Sequence, residues 1–135
     1  MIAGLGTDLI EIERVRVALE RHGDRFAQRV LGPAEYRIWL ERHERCAARG
    51  VAYLATRFAA KEALSKALGL GLVSPMSWRA AEILNTPGGA PQVVTHGELA
   101  NYVAARGLRL SVSITDEQTM AMATVIAETS DTLEQ

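Results

Sequence analysis

The chain has 135 residues, a hydrophobic fraction of 48% and a formal net charge of −1. That length favours one packed domain over two, and the apolar content argues against global disorder. No run approaches the ~18 apolar residues of a membrane-spanning helix, and a lone Cys46 excludes an intramolecular disulfide or a cysteine cluster for metal within one chain.

The small net charge hides an asymmetry. Residues 1–66 hold 12 basic and 9 acidic side chains, a net +3, whereas residues 67–135 hold 3 and 7, a net −4. An arginine-rich first half suits an acidic protein or a phosphate-bearing ligand, and equally an ordinary solvated helix surface. Nucleic acid is not expected, because neither a zinc-finger spacing nor an RNA-binding aromatic motif accompanies the charge. No basic leader precedes a long apolar run at the N-terminus, so a cytoplasmic protein without a membrane anchor is the expectation.

In chain order, residues 2–10 read as a strand whose Gly4 and Gly6 permit close backbone approach. Ile12, Val15, Ala18 and Leu19 recur at helical spacing up to Gly23. A short helix capped by Asp24 follows, carrying Phe26, Ala27, Val30 and Leu31, and Gly32 ends it. Pro33 opens another helix with Tyr36, Trp39 and Leu40. Residues 43–50 read as a loose polar stretch. The longest helix is expected from about Val51 to Leu68, stopped by Gly69 and Gly71. Trp78–Leu84 and Gln92–Thr95 read as strands around a turn at Asn85–Pro91, and Glu98–Ala105 as a helix ended by Gly107. Arg109–Thr115 alternates cleanly, and Thr119–Ala127 returns as its hairpin partner. The expected class is α+β: N-terminal helices, including one long central helix, packed on a mostly antiparallel sheet. Residues 1–127 form the expected domain and 128–135 a polar tail.

Chemistry concentrates at three places. Glu62 falls within about 60° of Ala55, Phe58 and Ala59 on a helical wheel, so it is a carboxylate inside an apolar arc. A buried charge needs a partner, which Lys66 one turn on can supply as an ordinary salt bridge. Asp8 follows the glycine pair and either caps the first helix or converges with Glu62 on a hard cation. Magnesium requires only one or two carboxylates plus water and substrate phosphates. Lys61, Lys66, Gly69 and Gly71 either receive phosphate or form a helix C-cap between solvated lysines; the glycine-rich lead of a P-loop is absent. His22, His43 and His96 match no metal spacing, and Ser65, Ser111 and Ser113 lack a His–Asp relay.

These residues carry a family resemblance. Gly4-Leu5-Gly6-Thr7-Asp8 with Glu11 and Arg14, then Arg57-Phe58-Ala59-Ala60-Lys61-Glu62-Ala63 through Lys66 to Gly69-Leu70-Gly71, resemble the short bacterial 4'-phosphopantetheinyl transferases. Gly89-Ala90-Pro91 and Ser111 through Glu117 add weaker matches. The resemblance implies transfer of 4'-phosphopantetheine from coenzyme A to a serine of apo acyl carrier protein, releasing adenosine 3',5'-bisphosphate. It implies Mg2+ on Asp8 and Glu62, and Lys66 near the diphosphate. Arg57, Lys61, Gly69 and Gly71 become candidates for the coenzyme A phosphates. It further implies a homotrimer with inter-subunit active sites and an acidic carrier docking on Arg14, Arg21 and Arg25. Two departures stand out: Asp116 occupies a position where some relatives carry histidine, and Ala90 one where lysine is common. A magnesium-dependent nucleotide or pyrophosphate hydrolase, and a non-catalytic module binding an acidic partner, are the competing readings.

Overall fold

The computed structural model describes residues 1–130. In chain order the elements are β1 (Ile2–Glu11), α1 (Ile12–His22), α2 (Asp24–Val30), α3 (Pro33–Arg45), α4 (Ala47–Leu68), β2 (Ala81–Asn85), β3 (Pro91–Thr95), α5 (Gly97–Ala105), β4 (Leu108–Asp116) and β5 (Met120–Thr129). All strand pairs are antiparallel, in a three-stranded sheet ordered β1-β5-β4 and a two-stranded sheet of β2 and β3. This is the expected α+β arrangement. Among the described residues no helix is long and apolar enough to cross a membrane.

Helix α4 lies against one face of the larger sheet, and small residues set how closely. Ala55, Ala59, Ala63 and Ala67 recur every fourth position and are buried, opposite buried Ala121, Ala123, Val125 and Ala127 of β5. The two glycines of β1 complete the fit. A Cβ on Gly4 would stand 1.8 Å from the Ala67 carbonyl oxygen, and one on Gly6 would stand 2.0 Å from that of Ala63. Backbone therefore rests directly on backbone. We expect Gly6→Ala to cost about 3 kcal/mol, because the obstacle is a helix carbonyl that cannot rotate aside as a side chain would. Urea denaturation monitored by circular dichroism measures it, and a near-neutral result would show that the strand can shift.

Among the described residues nothing covers the opposite sheet face. Leu5, Leu9 and Met122 lie on it, 63%, 59% and 40% exposed, in register with Ile126, Met122 and Leu9 across the ladder. Thr7 and Thr124 share a side-chain hydrogen bond at its centre.

Several expectations are corrected. The stretch read as loose is the end of α3 and the start of α4, interrupted only at Cys46. Ala47 and Ala48 favour helix, and Gly50 leaves room for His43, whose Nδ1 would lie 2.4 Å from a Cβ there. Asp8 lies inside β1, opposite Ala123, so it caps no helix; Glu11 occupies the α1 N-cap. Asp24 makes no cap bond either, and its carboxylate instead accepts from the Tyr36 hydroxyl at 3.1 Å. Trp78 precedes β2. Strand β5 runs through Thr129, two residues into the expected tail; residues 131–135 lie outside the described ones.

A polar brace joins α3 to β2. The Glu82 carboxylate accepts the Ala34 and Glu35 amides at 2.8 and 3.0 Å, at the positive end of α3, and meets His96 Nε2 at 2.9 Å. Burial opposes ionisation of Glu82, but the Glu35 amide, His96 and the Ala34 amide outweigh it and hold its pKa below the ordinary value. A depressed carboxylate stabilises the fold above its unfolded pKa and ceases to do so as pH falls through the folded one. We expect Glu82→Gln to be less stable than the parent at pH 7. Urea titrations should show the gap closing below about pH 4; a pH-independent gap would contradict this origin.

Candidate active site

Asp8 and Glu62 come near enough for their charges to repel where β1 packs on α4. Gly6, two residues before Asp8, lies against Ala63, next to Glu62, so the backbone contact itself brings the carboxylates to one place. Burial raises the Glu62 pKa, the negative charge of Asp8 raises it further, and Lys66 opposes both. The half-buried Glu62 carboxylate has no hydrogen-bond partner among the described residues.

Lys66 pairs with Asp8 in place of Glu62. Its Nζ lies 3.3 Å from Asp8 Oδ1 and donates to the Thr7 carbonyl at 3.0 Å. The ammonium side chain is 54% exposed against 18% for Asp8, so it retains access to an incoming ligand.

Other expected phosphate contacts are redistributed. Lys61 is fully buried, and its Nζ is spent on the Val30 carbonyl, Glu35 Oε1 and the Trp78 carbonyl at 2.6, 2.6 and 2.8 Å. It cannot reach a bound phosphate, because an ammonium has three donors and all are used. Gly69 adopts φ 71° and ends α4, its amide bonded to the Lys66 carbonyl at 3.1 Å, so the C-cap accounts for it. Gly71 also has a positive φ, of 66°, and is exposed.

Arg57 is buried, which depresses its pKa against the support of Tyr53 and Glu35. It donates to the Ile83 carbonyl at 3.1 Å and covers the Tyr53 ring at 4.2 Å, with Arg42 also 4.8 Å from that ring. Burial pushes the Tyr53 phenol up to about 12 despite both cations. These side chains belong to a cleft of about 780 Å³, where Arg42, Arg45, Arg49 and Arg57 face Gly89, Pro91 and Asp116. Sequence reasoning does not find Arg42, Arg45 and Arg49, of which the last two fall in the stretch it reads as loose. Their spacing of three and four residues was the available signal.

The cleft and the carboxylates lie at opposite edges of the three-stranded sheet, with β5 between them. Asp8 belongs to β1, one edge of the three-stranded sheet, whereas Ile114 and Asp116 of the cleft belong to β4, the other edge. None of Asp8, Glu62 and Lys66 lines the cleft. Among the described residues no group of three or more His, Cys, Asp or Glu converges as a metal site. Two carboxylates alone are a donor set that substrate oxygens must complete.

Arg14 and Arg21, seven residues apart, share one face of α1, with Val17 exposed between them; Arg25 follows on α2. All three arginines are exposed and make no ion pair among the described residues, unlike Arg16, which is held by Glu13 and Glu20.

A 4'-phosphopantetheinyl transferase superfamily model matches residues 4–123, and the chain belongs to that superfamily. Its relatives there are holo-[acyl-carrier-protein] synthases. The one from Herminiimonas arsenicoxydans is 59% identical over 128 residues, covering 95% of this chain and 98% of that protein. The crystal structure of the Neisseria meningitidis enzyme is similar with a TM-score of 0.87 at 36% identity, covering 95% of this chain and 99% of that one. A Bacillus anthracis synthase in complex with coenzyme A (3',5'-ADP) gives 0.81 at 32% identity, covering 96% and 99%.

Proposed function

We infer that the chain transfers 4'-phosphopantetheine from coenzyme A to a serine hydroxyl of apo acyl carrier protein, releasing adenosine 3',5'-bisphosphate. The carrying observation is the unpartnered Glu62 carboxylate beside Asp8 and Lys66. Asp8 and Glu62 fit a magnesium ion, since their mutual repulsion is relieved by a cation and their few oxygens leave room for phosphate ligands. When bound, the metal neutralises diphosphate charge as a Lewis acid. Lys66 offers its ammonium to the same phosphates or to the leaving oxygen, so this chain's contribution is chiefly positional and electrostatic.

The arginine cleft suits the nucleotide end of coenzyme A, with Arg42, Arg45 and Arg49 supplying charge and the Arg57–Tyr53 stack its wall. Carboxylates and cleft lie on opposite sheet edges and share no pocket, and we propose that a neighbouring copy brings them into one site. A head-to-tail ring places one copy's β1 side against the next copy's β4 side, and the uncovered face bearing Leu5, Leu9 and Met122 supplies apolar area for it. A homotrimer is the ring we propose. Arg14, Arg21 and Arg25 steer the acidic carrier onto α1 and α2.

Intact mass spectrometry of apo carrier protein, incubated with the protein, coenzyme A and Mg2+ beside an EDTA control, tests the reaction. A metal-dependent, phosphopantetheine-sized mass gain is expected. Adenosine bisphosphate released without carrier would establish a hydrolase instead.

A further inference from the structure

The buried ammonium of Lys61, on α4, touches three other segments, two of which carry a ring of the Phe26, Phe58 and Trp78 cluster. Val30, whose carbonyl it holds, closes α2, which carries Phe26 one turn earlier. The Trp78 carbonyl belongs to the residue whose indole stacks on Phe58 at 4.7 Å between centroids. Phe58 lies three residues before Lys61 on α4 and meets Phe26 at 6.3 Å. The third acceptor, Glu35, is itself fixed by the Gly32 amide at 2.9 Å and the Ile83 amide at 2.7 Å. All three rings are half-buried, with Phe58 one turn before Glu62 and Phe26 next to exposed Arg25.

We propose that Lys61 is a positioning residue: its hydrogen bonds to the Val30 and Trp78 carbonyls lash α2 and the Trp78 segment to α4, holding Phe26, Phe58 and Trp78 as one rigid shelf beside Glu62, the apolar centre of the protein-docking face that the arginines rim. The proposal rests on the transferase reading, in which an acidic protein must present its serine to this edge. Apolar centres within polar rims carry most of the energy of such interfaces. Rings on separate segments form a fixed surface only when those segments are tied together; Lys61 stands on α4 with Phe58 and bonds the other two, α2 through Val30 and the Trp78 segment through its carbonyl.

The test compares Lys61→Met and Lys61→Gln with the parent. Folding is read by far-ultraviolet circular dichroism, ring order by the near-ultraviolet signal, and KM is measured separately for carrier and coenzyme A. We expect Lys61→Met to fold, to lose near-ultraviolet signal, and to raise the carrier KM at least about tenfold with the coenzyme A KM within about twofold, as loss of positioning predicts. Lys61→Gln, which keeps two donors, should fall between. Equal changes in both KM values, an unchanged near-ultraviolet signal, or failure of both variants to fold would overturn the proposal. A parent that transfers nothing would overturn the transferase reading instead.

Discussion

Glu62→Gln should lower turnover by about a hundredfold or more while leaving the fold intact and the metal-free protein more stable than the parent. The activity loss follows from removing half of a two-carboxylate set, with the scale set by electrostatic groups acting on a phosphoryl transition state. The stability gain follows from the sign of the Glu62 shift. A carboxylate whose folded pKa is raised opposes folding once ionised, and this penalty disappears below its unfolded pKa. The neutral amide removes it at every pH, so the melting-temperature difference between variant and parent should shrink on acidification and on adding Mg2+ to the parent. Single-turnover kinetics and thermal melts with and without EDTA check both halves. Full activity at normal magnesium would exclude Glu62 as a ligand, and a destabilised amide variant would contradict the repulsion.

The second large effect is complementation between two inactive variants. If each site takes Asp8 and Glu62 from one copy and the arginine cleft from the next, Glu62→Gln and a doubly reversed Arg45→Glu, Arg49→Glu protein should each be nearly inactive. Mixed, dissociated and reassembled, they should recover about a quarter of parental activity, since random assembly joins an intact carboxylate pair to an intact cleft at one interface in four. Sedimentation of the mixture confirms reassembly. No recovery in reassembled trimers would place both halves of the site within one chain.

Much of this architecture was legible in the sequence because its local signals agree. The strand alternation of Leu110, Val112 and Ile114, the Pro33 helix start and the Gly69 stop all recur in the structure. Glu62 stood out because a carboxylate in an alanine-rich arc contradicts its surroundings, and Asp8 was recognisable only as part of a motif. Lys61 was misread for a physical reason. A lysine beside Glu62 looks like a solvated charge until acceptors 26 and 31 residues away close over it, and helical spacing carries no information about such partners. Lys66 likewise took its counter-ion from a strand 58 residues distant in preference to the carboxylate one turn away. The arginine cleft was obscured by a single interrupted residue, Cys46, between two helices.

The bare backbone contact between β1 and α4 has a consequence for how such a protein varies. With no side chain between Gly6 and the Ala63 carbonyl, the spacing of the two backbones that carry the carboxylates is governed by peptide geometry. Core substitutions elsewhere can accumulate without changing that spacing, while the arginines and rings around it are adjusted to a different carrier. On the transferase reading, the carboxylate backbones are thereby insulated from the surface proposed to meet the carrier, and specificity can drift while chemistry stays fixed.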